Sequence, residues 1–212
     1  MSRILYLHGF ASGPASQKAR FFHERFARRG VPLEIPDLAE EGFERLTITG
    51  QLEVIRREAR GEPVSLIGSS LGGYLAALYA ARHPEVVKVV LLAPAFAFRT
   101  RWLEWLGEAA VEAWRSSGRL LLYHYGEKEL RPVGYQLLED AQGYDDFPVF
   151  GQPALLFHGR MDDVVPVADS ERFARENSNV RLQLLDSDHQ LLNVLEEIWD
   201  LTQGFLSEPQ GL

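Results

Sequence analysis

The sequence predicts an α/β fold in which a mainly parallel, six-stranded sheet carries helices on both faces and one small inserted segment. Three observations lead there. Short apolar runs rich in β-branched residues alternate with longer amphipathic stretches. The runs are apolar almost throughout, the pattern of strands buried on both faces. Finally, 212 residues at 46% hydrophobic and 25% charged suit one domain, 1–212, with a substantial core.

The elements follow in order. "RILYLHG" reads as a buried strand and "SQKARFFHERFARRG" as a helix ending at Gly30, a residue suited to the left-handed turn past a helix. "VPLEIPD" is a weaker strand, because its two prolines remove ladder donors. "TITGQLEVIRREARGE" places Leu52, Ile55 and Ala59 on one helical face. Strand "PVSLIG", helix "LGGYLAALYAARHP" and strand "VVKVVLLAPA" come next. The rhythm then breaks over about 96–151. There "TRWLEWLGEAAVEAWRSS" reads as an amphipathic helix, with Glu104, Glu108 and Glu112 at four-residue spacing. "GRLLLYHYGEKELRPVGY" reads as a hairpin around Gly126, and "QLLEDAQGYDD" as a short helix. A segment of about 55 residues would be marginal alone, so it is expected to be a cap packed on the main domain. Strand "PALLFHG", helix "PVADSERFARENS", strand "VRLQLLD" and helix "LLNVLEEIWDLTQGFL" complete the chain. Sheets of this kind bind ligands at the carboxyl ends of their strands.

Composition narrows the function. With 22 basic against 30 acidic residues the net charge is −8, which argues against a nucleic-acid binder held by phosphate contacts. The arginines of "IRREAR" are interleaved with glutamates and read as a solvated helix face. Cysteine is absent, so disulfides, a thiol nucleophile and a Cys-based zinc site are excluded. No run approaches the ~18 apolar residues of a membrane span, and the opening segment is too short for a signal peptide. A cytoplasmic protein is the expectation. The sequence carries no signal for an oligomeric state.

Gly68-Ser69-Ser70-Leu71-Gly72, between a strand and a helix, fits G-x-S-x-G with Ser70 at its centre. Reversing the chain from strand to helix in so few residues forces the central residue into a strained conformation. Glycines at 68 and 72 remove side chains that would collide, whereas Ser69 is flanked by Ile67 and Leu71. The pattern alone could be a glycine-rich turn. It lacks the lysine and spacing of a phosphate-binding loop.

A serine hydroxyl is a weak nucleophile unless a histidine takes its proton, and the histidine needs an acid to fix its tautomer. In α/β-hydrolases the chain order is Ser, acid, His. Asp162 and Asp163 follow the strand "PALLFHG", and His189 follows the last strand. Both loops leave the sheet edge that carries Ser70. An oxyanion hole needs two backbone N–H donors. Leu71 supplies one candidate and Phe10, in "LHGFASG", the other; the Phe10 ring is expected to line an acyl pocket. His8 reads as a buried residue bonded to nearby loops. Asp188 adjoins His189 in sequence, so its side chain is expected to diverge from the imidazole. "DSDH" lacks further ligands at metal spacing.

"YLHGFASGPASQKA", "IGSSLGGYLA", "HGRMDDVVP" and "DSDHQLL" together resemble the α/β-hydrolase superfamily, and within it the small bacterial YqiA-like esterases. The resemblance covers nearly the whole chain and is weakest in the cap. It implies the six-stranded form of the α/β-hydrolase fold, without the two opening strands of larger members. It also implies Ser70 as nucleophile, His189 as general base and acid, and Asp162, three residues after Gly159, as the triad acid. Asp163 is then expected to face solvent or cap the helix near Pro166.

The activity expected is hydrolysis of small-molecule carboxylic esters, or thioesters, of small to medium acyl groups, with no cofactor and no metal. A peptidase or amidase of the same fold is the closest alternative, and a non-catalytic ligand receptor is the alternative outside enzymes. Serine at the elbow disfavours dehalogenases and epoxide hydrolases, which use aspartate. Trp102, Trp105 and Trp114 either shape an apolar acyl pocket or fasten the cap to the core.

Overall fold

Arg3–Leu7 form β1, followed by helix α1, Gln17–Ala27. Ser16 opens α1 by accepting from the Ala19 N–H at 3.4 Å, which satisfies one of the helix's free first-turn donors. β2 is only Leu33–Glu34, α2 spans Ile48–Ala59, and Thr47 caps α2 by accepting from Gly50 N–H at 2.9 Å. β3 (Val64–Ser69), α3 (Leu71–Arg82) and β4 (Val86–Leu92) run on without pause. The interruption comprises α4 (Phe98–Ser117), the strands β5 (Arg119–His124) and β6 (Glu129–Gly134), and α5 (Gln136–Ala141). β7 (Ala154–Gly159), α6 (Val167–Glu176), β8 (Val180–Leu185) and α7 (Leu195–Ser207) close the chain. This computed structural model describes residues 3–208; Met1, Ser2 and residues 209–212 of the expected 1–212 domain lie outside it.

The main sheet has the order β2-β1-β3-β4-β7-β8, and every adjacent pair is parallel. Alternation along each strand sends side chains to opposite faces. Ile4, Tyr6, Ile67, Val90 and Phe157 pack with Phe22 and Phe26 of α1 and Ile198 and Trp199 of α7. Leu5, Leu7, Leu66, Leu91 and Leu156 face the other way, toward α2, α3 and the inserted elements. α3 is buried from Leu71 through Ala80, which explains why its sequence is apolar all round.

Two elements differ from the sequence reading. The strand expected over "VPLEIPD" shrinks to two residues, between Pro32 and Pro36, neither of which can donate to a ladder. The amphipathic helix expected from Thr100 to Ser117 is broken at Gly107, at φ 73° and ψ 164°, a conformation glycine adopts without steric penalty. Glu104, Glu108 and Glu112 are all exposed, but Glu104 lies before the break and the other two after it. β5 and β6 form an antiparallel hairpin whose turn carries Gly126, with Lys128 N–H bonded to His124 O at 2.7 Å.

The inserted elements share the main core. Trp114 is 1% exposed and its indole N–H donates to Val133 O at 2.9 Å, tying α4 to β6. Its ring packs on Trp102 and Tyr135 at 5.5 and 5.6 Å. Trp114→Ala should therefore destabilise the protein by about 3–5 kcal/mol in urea unfolding, within one cooperative transition. Two transitions, only one of them moved by the substitution, would make the insert a separate folding unit.

Candidate active site

The strand order reverses between β1 and β3, so the loops leaving these two strands lie side by side at the sheet's carboxyl edge. One carries Phe10 and the other Ser70. In register, Leu7 of β1 faces Gly68 of β3, immediately before the two loops diverge. Backbone strain gathers at the same edge. Ala11, Ser70, Ala93, Ala97 and Leu191, on loops after β1, β3, β4 and β8, all have positive φ without being glycine.

Ser70 has φ 53° and ψ −118° and immediately precedes α3. Its N–H donates to Leu92 O at 2.9 Å, and its carbonyl accepts from Gly73, Tyr74 and Ala95 N–H groups at 2.9–3.1 Å. A Cβ at Gly68 would overlap the Gly72 carbonyl, and one at Gly72 would overlap the carbonyls of Leu7 and His8. The elbow therefore admits no side chain two residues before or two residues after Ser70. Ser69 ends β3 and is 3% exposed, whereas Ser70 opens toward the loops.

His189 belongs to a loop that starts three strands away, after β8, and must lean back over β7 to reach Ser70. The backbone shows how. Arg160 N–H donates to Leu185 O at 2.8 Å, and Met161 N–H to Ser187 O at 3.0 Å. The chain passes so close to the end of β7 that a Cβ at Gly159 would overlap the Ser187 and Asp188 carbonyls. His189 Nε2 then lies 3.0 Å from Ser70 Oγ, and Nδ1 lies 2.8 Å from Asp162 Oδ2. Because Nδ1 faces a carboxylate, it carries the hydrogen, which leaves Nε2 to accept from the serine hydroxyl.

The Asp162 side chain is fully enclosed, while that of His189 is 16% exposed. Burial opposes ionisation of Asp162, but bonds from His158, His189 and the Val165 N–H outweigh it and hold the carboxyl well below the usual carboxylate range. Oδ1 accepts from the Val164 and Val165 N–H groups at 2.9 and 2.8 Å. Of the alternatives, Asp163 is exposed, and no side chain caps α6, so the capping role considered for Asp163 is not realised. Asp188 turns away from His189 and accepts from Gln190 and Leu191 N–H groups at 2.9 and 3.2 Å.

Leu71 N–H opens α3 beside Ser70, where the helix dipole favours negative charge. Phe10 follows Gly9, and the Phe10 ring packs on Phe43 and, edge-on, on Trp102 at 5.0 and 5.2 Å. The next carbonyl, Ala11 O, accepts from Tyr125 N–H of the hairpin turn at 2.8 Å. The inserted segment thus grips the Phe10 loop at two points. Trp105 stands farther out, 69% exposed, with its ring edge-on to Trp102 at 5.8 Å.

Three further side chains border the site. His8 is buried, accepts at Nε2 from Leu38 N–H at 3.0 Å and donates from Nδ1 to Gly9 O at 3.0 Å, pinning the Phe10 loop as expected of it. Burial pushes the Lys18 ammonium, in the first turn of α1, down to about 8, against the pull of Asp162 and Asp188. His158 of β7 touches Asp162 directly. The sequence signals for the last two were a lysine in "PASQKA", at the start of the helix after the Phe10 loop, and a histidine inside the "HGRMDD" motif; each reads as part of a helix or strand until the loops are placed. Among the described residues, no three His, Asp or Glu side chains converge as a metal site requires, and no helix is long and apolar enough to cross a membrane.

A model of the "Uncharacterised protein family (UPF0227)" matches residues 3–206. The structure of Est1E from Butyrivibrio proteoclasticus with ferulic acid bound superposes with a TM-score of 0.74 at 19% identity, covering 97% of this chain and 88% of that one. Alpha/beta hydrolase domain-containing protein 10 from mouse gives 0.74 at 21% identity, with 95% and 90% covered. The alpha/beta hydrolase GrgF from Penicillium sp. sh18 gives 0.74 at 14%, with 100% and 91% covered. A stretch of 48 residues, 23% of this chain, is 48% identical to chloroplastic pheophytinase from Arabidopsis thaliana but spans only 10% of that protein. The structural likenesses carry the fold, the family match covers nearly the whole described chain, and together they show a protein of the α/β-hydrolase fold that belongs to the UPF0227 family.

Proposed function

We propose that this chain is a serine hydrolase that cleaves carboxylic esters, and thioesters, of small to medium acyl groups through Ser70, His189 and Asp162. The observation that carries the reading is the unbroken chain from Ser70 Oγ through the His189 imidazole to Asp162, with links of 3.0 and 2.8 Å. In this mechanism Ser70 Oγ attacks the ester carbonyl carbon while His189 Nε2 takes its proton. The Asp162 carboxylate stabilises the resulting imidazolium. The oxyanion is received by Phe10 and Leu71 N–H groups, donors aimed where charge develops. His189 then returns its proton to the leaving alcohol or thiol. Water, activated by the same histidine, attacks the acyl-enzyme and releases the acid.

The segment over 96–151 acts as the cap, and Phe10 and Trp102, packed edge-on at 5.2 Å, line the acyl pocket. Trp105, largely exposed, forms the outer rim. Ferulic acid, the molecule bound to Est1E, is a carboxylic acid, the class of product that ester hydrolysis releases. The low position of the Asp162 carboxyl also fits, since an acid that remains ionised can hold an imidazolium at any working pH.

A panel of aryl esters of varied chain length, acyl thioesters and peptide amides tests the reading. Aryl esters and thioesters should turn over and peptide amides should not. Ser70→Ala and His189→Ala should each lower kcat/KM by at least about 10⁴-fold. Efficient turnover of the amides alone would point to a peptidase. Asp162→Asn should reduce the rate on an activated ester by roughly 10³–10⁴-fold, with Asp163→Asn within a few-fold of wild type; the reverse ranking would move the acid to Asp163.

A further inference from the structure

His158 is fully buried on β7, four residues before Asp162. A buried imidazole needs a partner at each ring nitrogen. Nδ1 lies 2.7 Å from Ser170 Oγ of α6. Nε2 faces two acceptors, the Val165 carbonyl oxygen at 3.1 Å and Asp162 Oδ2 at 3.0 Å. Since both neighbours of Nε2 are acceptors, that nitrogen carries the hydrogen, and Nδ1 accepts from the Ser170 hydroxyl. The bond in line is the one to Val165; the Asp162 oxygen sits beside it, within reach of the same N–H. Oδ2 is therefore flanked by two imidazole N–H groups, from His189 on the side of Ser70 and from His158 on the side of the core.

We propose that His158 is a positioning residue for the hydrolytic reaction, its Nε2–H and the Ser170 hydroxyl behind it fixing the Asp162 carboxylate and limiting how strongly Oδ2 draws on the His189 proton. The proposal rests on the serine-hydrolase reading above. An oxygen shared by two donors accepts less strongly from each. Without His158 the carboxylate turns more freely, and the charge on Oδ2 is answered by His189 alone, which favours the protonated imidazole. The titratable groups around this carboxylate are His158 on β7, His189 on the loop after β8 and, through charge, Lys18 of α1, which also feels Asp188.

The rate at which a fluorophosphonate modifies Ser70, measured across pH, tests this without knowledge of the natural substrate. In His158→Leu the acid limb should move to higher pH by about half a unit or more, and the plateau rate should fall about tenfold. His158→Gln, which retains an N–H at similar reach, should recover most of both. Ser170→Ala, which removes the hydroxyl that fixes the ring, should shift the limb in the same direction by less. The proposal is overturned if folded His158→Leu and Ser170→Ala keep the wild-type limb, or if His158→Gln behaves no better than His158→Leu. Should His158→Leu fail to fold, the limb of Ser170→Ala decides. Failure of the underlying reading is distinguishable, because it would show as wild-type protein that the reagent does not modify at all, and the positioning role would fall with it.

Discussion

Ser70 is held at a positive φ that costs a residue with a side chain about 1–3 kcal/mol. Four backbone hydrogen bonds through its own N–H and carbonyl, to β4, to the loop after it and to α3, hold it there. At a net ~0.5–1.5 kcal/mol each, they are of the right size to offset the strain. The arrangement requires that nothing stand between β1, β3 and the start of α3, which is why Gly68 and Gly72 stand two residues before and two after Ser70. The same geometry gives the hydroxyl its direction, out of the sheet and toward the loops after β7 and β8.

The partners of Ser70 come from the far side of the sheet. β4 and β7 separate β3 from β8, so the histidine loop has to double back across the end of β7. Its bonds to Arg160 and Met161 N–H groups lay it there, and Gly159 leaves the room. The consequence is electrostatic as well as spatial. Asp162 is enclosed by the crossing loop, yet it keeps its charge because N–H groups surround both of its oxygens. On the other flank the inserted segment packs Trp102 on Phe10 and bonds Tyr125 N–H to Ala11 O, so it braces the loop offering the proposed oxyanion donor.

The strand–helix alternation was legible because parallel strands buried on both faces are apolar throughout, and the sheet has the six strands this pattern implied. Ser70, His189 and the pair Asp162 and Asp163 were legible as candidates because each follows a strand and all loops after parallel strands leave from one edge; the choice of Asp162 over Asp163 came from the resemblance to α/β-hydrolases. The break at Gly107 was hidden, since one glycine within an otherwise periodic stretch is compatible with a continuous helix. The contact of His158 with Asp162 was hidden for a different reason. An inward-facing histidine in an apolar strand looks like core, and only the turn after β7 brings the carboxylate back over it. The exposure of Trp105 likewise depends on how α4 lies on the core, which periodicity does not encode.

In the proposed reaction one hydroxyl, that of Ser70, carries the acyl group between attack and release. Mixing the protein with an excess of p-nitrophenyl acetate, quenching in acid within the first turnovers and mapping the modified peptide by mass spectrometry would show where the acyl group resides. A single acetyl group is expected on Ser70, absent in Ser70→Ala and accumulating when water attack is slowed. Acetyl on Ser69 or on a lysine with Ser70 unmodified, or turnover with no covalent species at any time, would contradict it.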